Sequence, residues 1–90
     1  MNVRKEKVNY LISQLDELMF NIKVADKYIG KLTDKEEQAF YRKQLDILLV
    51  EYQALCMVLK EQIEDYIRYE RQNNLPVHFG FRLMLKRLNQ

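Results

Sequence analysis

From Val8 to Ile29 the apolar residues stand at Val8, Leu11, Leu15, Leu18, Ile22, Ala25 and Ile29, in alternating steps of three and four. Such steps average 3.5 residues, the period of a helix that lies almost parallel to another rod and buries one narrow seam against it. Ile12 and Met19 widen the seam on one side. The pattern predicts a first helix over about residues 3–29. Gly30 reads as its stop, because glycine takes the left-handed position after a helix without steric cost.

A second start follows at once. Thr33 and Glu36 have the spacing of a capping box, and Asp34, Glu36 and Glu37 put negative charge at the positive helix end. A second helix is expected over about 34–73, with a seam at Tyr41, Leu45, Leu48, Tyr52, Leu55, Leu59, Gln62, Tyr66 and Tyr69, widened by Leu49, Cys56 and Ile63. Glu64 and Arg68 form a favourable pair four residues apart. Asn73 or Asn74 can end the helix, and Pro76 forbids its simple continuation.

The lengths then matter. About 27 residues make roughly 40 Å of helix and about 40 residues roughly 60 Å. A fold about Gly30–Leu32 puts Val8 near Leu55, so the first helix runs out near Lys60 and the last third of the second has no cover. The stretch "LPVHFGFRLMLKRLNQ" is placed to fill that gap as a short helix over about 77–88. It also alternates like a strand, but no other segment supplies a partner strand, so that alternative requires a second chain; a disordered tail is the remaining alternative. The expected fold is therefore all-α. It is one helical domain over 1–90, a long antiparallel hairpin with a short third helix, open to dimerisation into a bundle.

Composition sharpens this. Two glycines and one proline in ninety residues leave little to interrupt helices. A lone Cys56 excludes an internal disulfide. The net charge of +2 is too small to imply a polyanionic partner by itself. The longest apolar runs, "ILLV" and "ALCMVL", fall far short of the roughly 20 residues of a membrane span. The basic opening "MNVRKEKVNY" leads into no apolar signal region, so a soluble cytoplasmic protein is expected.

Catalytic equipment is sparse. His78 is the only histidine and has no acidic neighbour in sequence, which suits a surface or capping role. Cys56 lies in an apolar stretch and reads as a small buried hydrophobe. Glu61, Glu64 and Asp65 share about one turn and read as a solvated face that Arg82, Lys86 and Arg87 of the third helix could approach. There is no phosphate-binding glycine loop and no Glu-x-x-His pair. No cofactor, metal site or enzymatic activity is expected.

Ser13–Gln14–Leu15–Asp16 is similar to the Ser-Gln-Glu-Leu-Asp signature of small helical-hairpin phosphatases acting on sporulation response regulators. The glutamate is missing here. One residue lost turns the acid by about 100° around the helix, so that catalytic face is not preserved. The small all-helical build also loosely resembles bacteriocin immunity proteins and phage accessory proteins, with no motif that secures either. From the size and the lack of catalytic equipment, a phage or mobile-element product is expected.

What remains is surplus apolar surface. Phe20, Val24 and Tyr28 recur every four residues away from the first seam, and Phe40, Ile47, Val50, Ala54 and Met57 lie away from the second. A helix apolar on all sides is ordinarily buried on all sides. These eight residues are the expected protein interface, with a homodimer as the simplest closure and a different protein as the alternative. The expected function is non-enzymatic protein binding by an adaptor, inhibitor or small regulator. Two alternatives remain: a structural assembly protein, and a nucleic-acid binder using Arg4, Lys5, Lys7, Arg82, Lys86 and Arg87.

Overall fold

The computed structural model describes residues 2–90. They form three helices, α1 (Val3–Lys31), α2 (Lys35–Gln72) and α3 (Phe79–Leu88), and no strand. The strand reading of residues 75–90 is thereby set aside. The all-α hairpin with a short third helix is the fold.

Two helix boundaries differ from the sequence reading. Gly30 does not end α1 and does not take a positive φ; the helix runs on to Lys31. The reason is local satisfaction of the last turn. The Leu32 N–H donates to the Ile29 carbonyl at 3.1 Å, and Gln38 Nε2 donates to the same oxygen at 3.2 Å. With that carbonyl satisfied by a tightened turn and a side chain, no left-handed residue is needed. The left-handed residue is Asn74 (φ 52°), which turns the chain out of α2.

The N-cap of α2 is Asp34 rather than Thr33. Its carboxylate accepts from the Glu36 N–H at 2.9 Å. An anion at the positive end of a helix makes a stronger, charge-assisted bond than a hydroxyl does. At the start of α1, Asn2 accepts from the Lys5 N–H at 3.1 Å.

The later loop moves the register. Arg4 pairs with Asp65, and Tyr10 and Leu11 share a groove with Leu55 and Val58. Residues of α1 thus face positions about one turn further along α2 than a fold about Gly30–Leu32 implies. Along the seam, Val8, Leu15, Ile22 and Ile29 are buried against Leu45, Leu59, Ile63 and Tyr66. Leu59 and Ile63 are wholly inaccessible. Each side chain of that kind contributes roughly 1.5–3 kcal/mol of transfer free energy.

α3 runs back antiparallel to α2. Phe81 at its start is buried with Val8, Ile63 and Tyr66, and Met84, Leu85 and Leu88 pack onto the same cluster. Phe81 meets Tyr66 edge to face, with centroids 5.1 Å apart. Further on, Met84, Arg87 and Leu88 lie beside Leu15, Asp16 and Met19 of α1 and Tyr52 of α2. α3 therefore covers one side of the hairpin. The molecule is a rod of 58 × 22 × 17 Å.

Candidate interaction face

A two-helix hairpin has two long sides, and α3 occupies one. On α1 that side carries Leu15, Asp16 and Met19; on α2 it carries Ile63, Tyr66 and Ile67. Among the described residues nothing lies over the opposite side. There a groove of about 570 Å³ runs between Tyr10, Gln14, Glu17 and Asn21 of α1 and Glu51, Ala54 and Val58 of α2. Its floor is Leu11, Leu18 and Leu55. This explains an alternation along the α1 seam. Val8, Leu15, Ile22 and Ile29 are buried, whereas Leu11, Leu18 and Ala25 are only half-buried. The second set leans toward the side without a third helix.

Toward the loop the bare side becomes aromatic. Tyr28 meets Tyr41 edge to face with centroids 5.3 Å apart, and Phe40 meets Tyr41 in the same way at 5.2 Å. Phe40 is 57% and Tyr28 47% exposed. The adjacent Tyr41 phenol, then burial and Glu37, raise the Tyr28 pKa above the ordinary phenol value. A half-wet tyrosine is well suited to an interface.

All eight residues expected at the interface are exposed, namely Phe20, Val24, Tyr28, Phe40, Ile47, Val50, Ala54 and Met57. The structure brings only some of them together. Ala54 lines the bare groove, and Ile47 and Phe40 precede it on the same line at seven-residue spacing. Val24 and Tyr28 approach that line from α1. Phe20 lies on the outer back of α1, while Val50 and Met57 lie on the outer back of α2, and those backs point in opposite directions. Met57 sits in a shallow depression with Lys60, Glu61 and Glu64. Surplus apolar residues on two helices do not make one surface when each faces away from the other helix.

The basic residues are also divided. Arg4 contacts Asp65 at 3.5 Å and lies over the Tyr69 ring, 4.4 Å from its centroid. Lys5 borders a small recess with Tyr66, Pro76 and His78. Lys7 and Lys86 are exposed, and Arg87 lies on the α3 side near Tyr52. Arg82 does not meet the acidic group Glu61, Glu64 and Asp65. Asp65 is engaged by Arg4 and, at 3.8 Å, by Arg68, which replaces the expected Glu64–Arg68 pair.

Arg82 reaches instead a residue that a search for apolar side chains passes over. Glu70 is 2% exposed, the buried charged residue among those described. Its Oε1 accepts from Arg82 Nη2 at 2.9 Å and its Oε2 from the His78 N–H at 2.8 Å. His78 is the N-cap of α3, as its position suggested. Its Nδ1 accepts from the Phe81 N–H at 3.2 Å, and its ring stacks on Phe81 with centroids 3.7 Å apart. A signal for Glu70 does exist in the chain. Leu59, Ile63 and Tyr66 form a buried stripe of steps four and three, and the next step of four lands on Glu70.

Among the described residues no group of three or more His, Cys, Asp or Glu side chains could hold a metal ion. Cys56 is half-buried against the core cluster. Burial, and then Cys56 itself, pushes the Tyr52 phenol upward. No helix of the described residues is long and apolar enough to cross a membrane. No family model matches the chain, and no curated protein and no solved structure is significantly similar to it.

Proposed function

We propose that this protein is a non-enzymatic protein-binding module, an adaptor, inhibitor or small regulator that works through the side of the hairpin left bare by α3. The observation that carries this reading is the kind of surface the hairpin exposes. Among the described residues, exposed large apolar side chains outnumber buried ones. Val24, Tyr28, Phe40 and Ile47 fall on one side by helical spacing, and the Tyr28–Tyr41 contact bridges the two helices there. A second copy is the simplest partner. Nucleic acid has less support, because Arg4 and Arg82 are each committed to a carboxylate.

Light scattering after size exclusion tests the reading. The expected result is a mass above that of one chain, lost in Ala54→Glu and Val58→Glu, which spoil the bare groove, while circular dichroism keeps its helical amplitude. Loss of helicity in those variants would place the two residues in the core and remove the proposed face.

A further inference from the structure

The bare groove and the outer face of α3 have complementary shape, spacing and charge. The outer face of α3 is a stripe of Phe79, Leu83 and Lys86, spaced four and three. Phe79 is 74% and Leu83 64% exposed, and Lys86 is exposed beside them. Because α3 is a single helix laid on one side of a two-helix hairpin, this stripe is the crest of a ridge. On the other side of the same rod lies the groove, apolar on its floor. Among the described residues its charged lining residues are Glu17 and Glu51, one on each wall, and no basic residue lines it. Two carboxylates facing one apolar trough, with no cation beside them among the described residues, call for a ligand that brings apolar side chains and a positive charge at fixed spacing. From Val58 to Glu51 is seven residues of α2, and from Phe79 to Lys86 is seven residues of α3. Both spans are about 10.5 Å at helical rise.

We infer that the partner is a second copy of this chain, whose α3 crest enters the groove with Phe79 and Leu83 over Leu55 and Val58 and Lys86 between Glu17 and Glu51. This rests on the protein-binding reading and names its partner. The contact is heterologous, because crest and groove are on opposite sides of one molecule. In it α3 runs antiparallel to the neighbour's α2, as it does to its own, so successive copies keep the same heading. An operation of that kind does not close on itself and generates an open row instead of a dimer. The contact area of a ten-residue helix is at the small end for interfaces, so the row grows with concentration and is short when dilute. The association is salt-sensitive through the Lys86 contacts.

The experiment uses two full-length variants followed by sedimentation velocity from micromolar to about millimolar concentration. One is Phe79→Glu with Leu83→Glu, which spoils the crest. The other is Glu17→Lys with Glu51→Lys, which spoils the groove. All four positions are exposed, and circular dichroism confirms that each variant folds. The wild type is expected to grow past two copies. Each variant alone is expected to stay single. Their mixture should give one-to-one pairs that stop at two, since one intact crest and one intact groove remain. Adding Lys86→Glu to the groove variant should restore growth by charge reversal. A wild type that stops at a dimer, unaffected by Phe79→Glu/Leu83→Glu and abolished by Ile47→Glu, overturns the crest-in-groove contact and leaves the protein-binding reading standing. A wild type that is single at about millimolar concentration overturns self-association, and a mixture that stays unpaired overturns the contact.

Discussion

Arg82 Nη2 lies 2.9 Å from Glu70 Oε1, twelve residues back along the chain, and that pair ties α3 to the end of α2. Glu70 is buried, so its charge is tolerable only while Arg82 and the His78 N–H satisfy it. Replacing Arg82 by Met leaves a buried carboxylate with half its partners. Breaking a buried pair on one side costs about 3–5 kcal/mol. Undocking α3 returns Glu70 to water, so the observed cost is capped at the free energy of docking. The expected outcome is loss of hydrogen-exchange protection from Phe81 to Leu88 with α1 and the middle of α2 unchanged. Adding Glu70→Gln should recover part of it. Unaltered exchange in the single variant would mean that the pair does not hold α3.

Gly30 sits inside α1, and a methyl group there meets nothing within 4 Å. Alanine is favoured over glycine in a helix by roughly 0.5–1 kcal/mol. Gly30→Ala should therefore raise the melting temperature by about 2–8 °C for a domain of this size. A fall would show that Gly30 takes the left-handed conformation in solution.

Asp34 and Thr33 are neighbours with different work. Asp34→Ala removes the acceptor for the Glu36 N–H and should destabilise by about 0.5–2 kcal/mol. Thr33→Ala should stay within about 0.5 kcal/mol, the ordinary range for an exposed site. Urea unfolding of the two variants ranks them. The reverse order would restore Thr33 as the cap.

Leu59 and Met57 differ by two positions and by everything in their surroundings. Leu59 is wholly buried, and Met57 is 67% exposed. Leu59→Ala should cost about 2–5 kcal/mol through lost transfer energy and a residual cavity. Met57→Ala should change the stability of the single chain by no more than about 0.5 kcal/mol. Denaturant titrations at low micromolar concentration check this. A cost at Met57 near that at Leu59 would mean that the back of α2 is covered in solution.

Most of the fold was legible in the residues because it depends on local rules. The alternation from Val8 to Ile29 needs only the helical period to be read as a seam, and the scarcity of glycine and proline needs only propensity. The third helix followed from a length argument, since two antiparallel rods of unequal length leave one end uncovered. The boundary at Gly30 was misread because a glycine permits a left-handed turn without requiring one, and the Gln38 side chain that completes the last turn comes from the other helix. The eight residues expected to be exposed are exposed, but Tyr10, Phe79 and Leu83 were missed, Leu49 was assigned to the seam and is exposed, and the grouping was not legible. Phe20 and Val50 look alike in sequence and end on opposite edges of the rod.

The chain's order of residues thus determined where helices form, which stripe each buries and that apolar surface is left over, because these are properties of one segment at a time. Only the tertiary structure decided the register of α1 on α2, the side on which α3 lies, and the burial of Glu70 against Arg82. Those depend on how the loop at Leu32–Asp34 closes and on which of two nearly equivalent grooves gains a third helix. The local period treats the two sides of a seam alike. A buried acid at Glu70, matched by a cation on the segment that returns, breaks that equivalence at the far end of the hairpin.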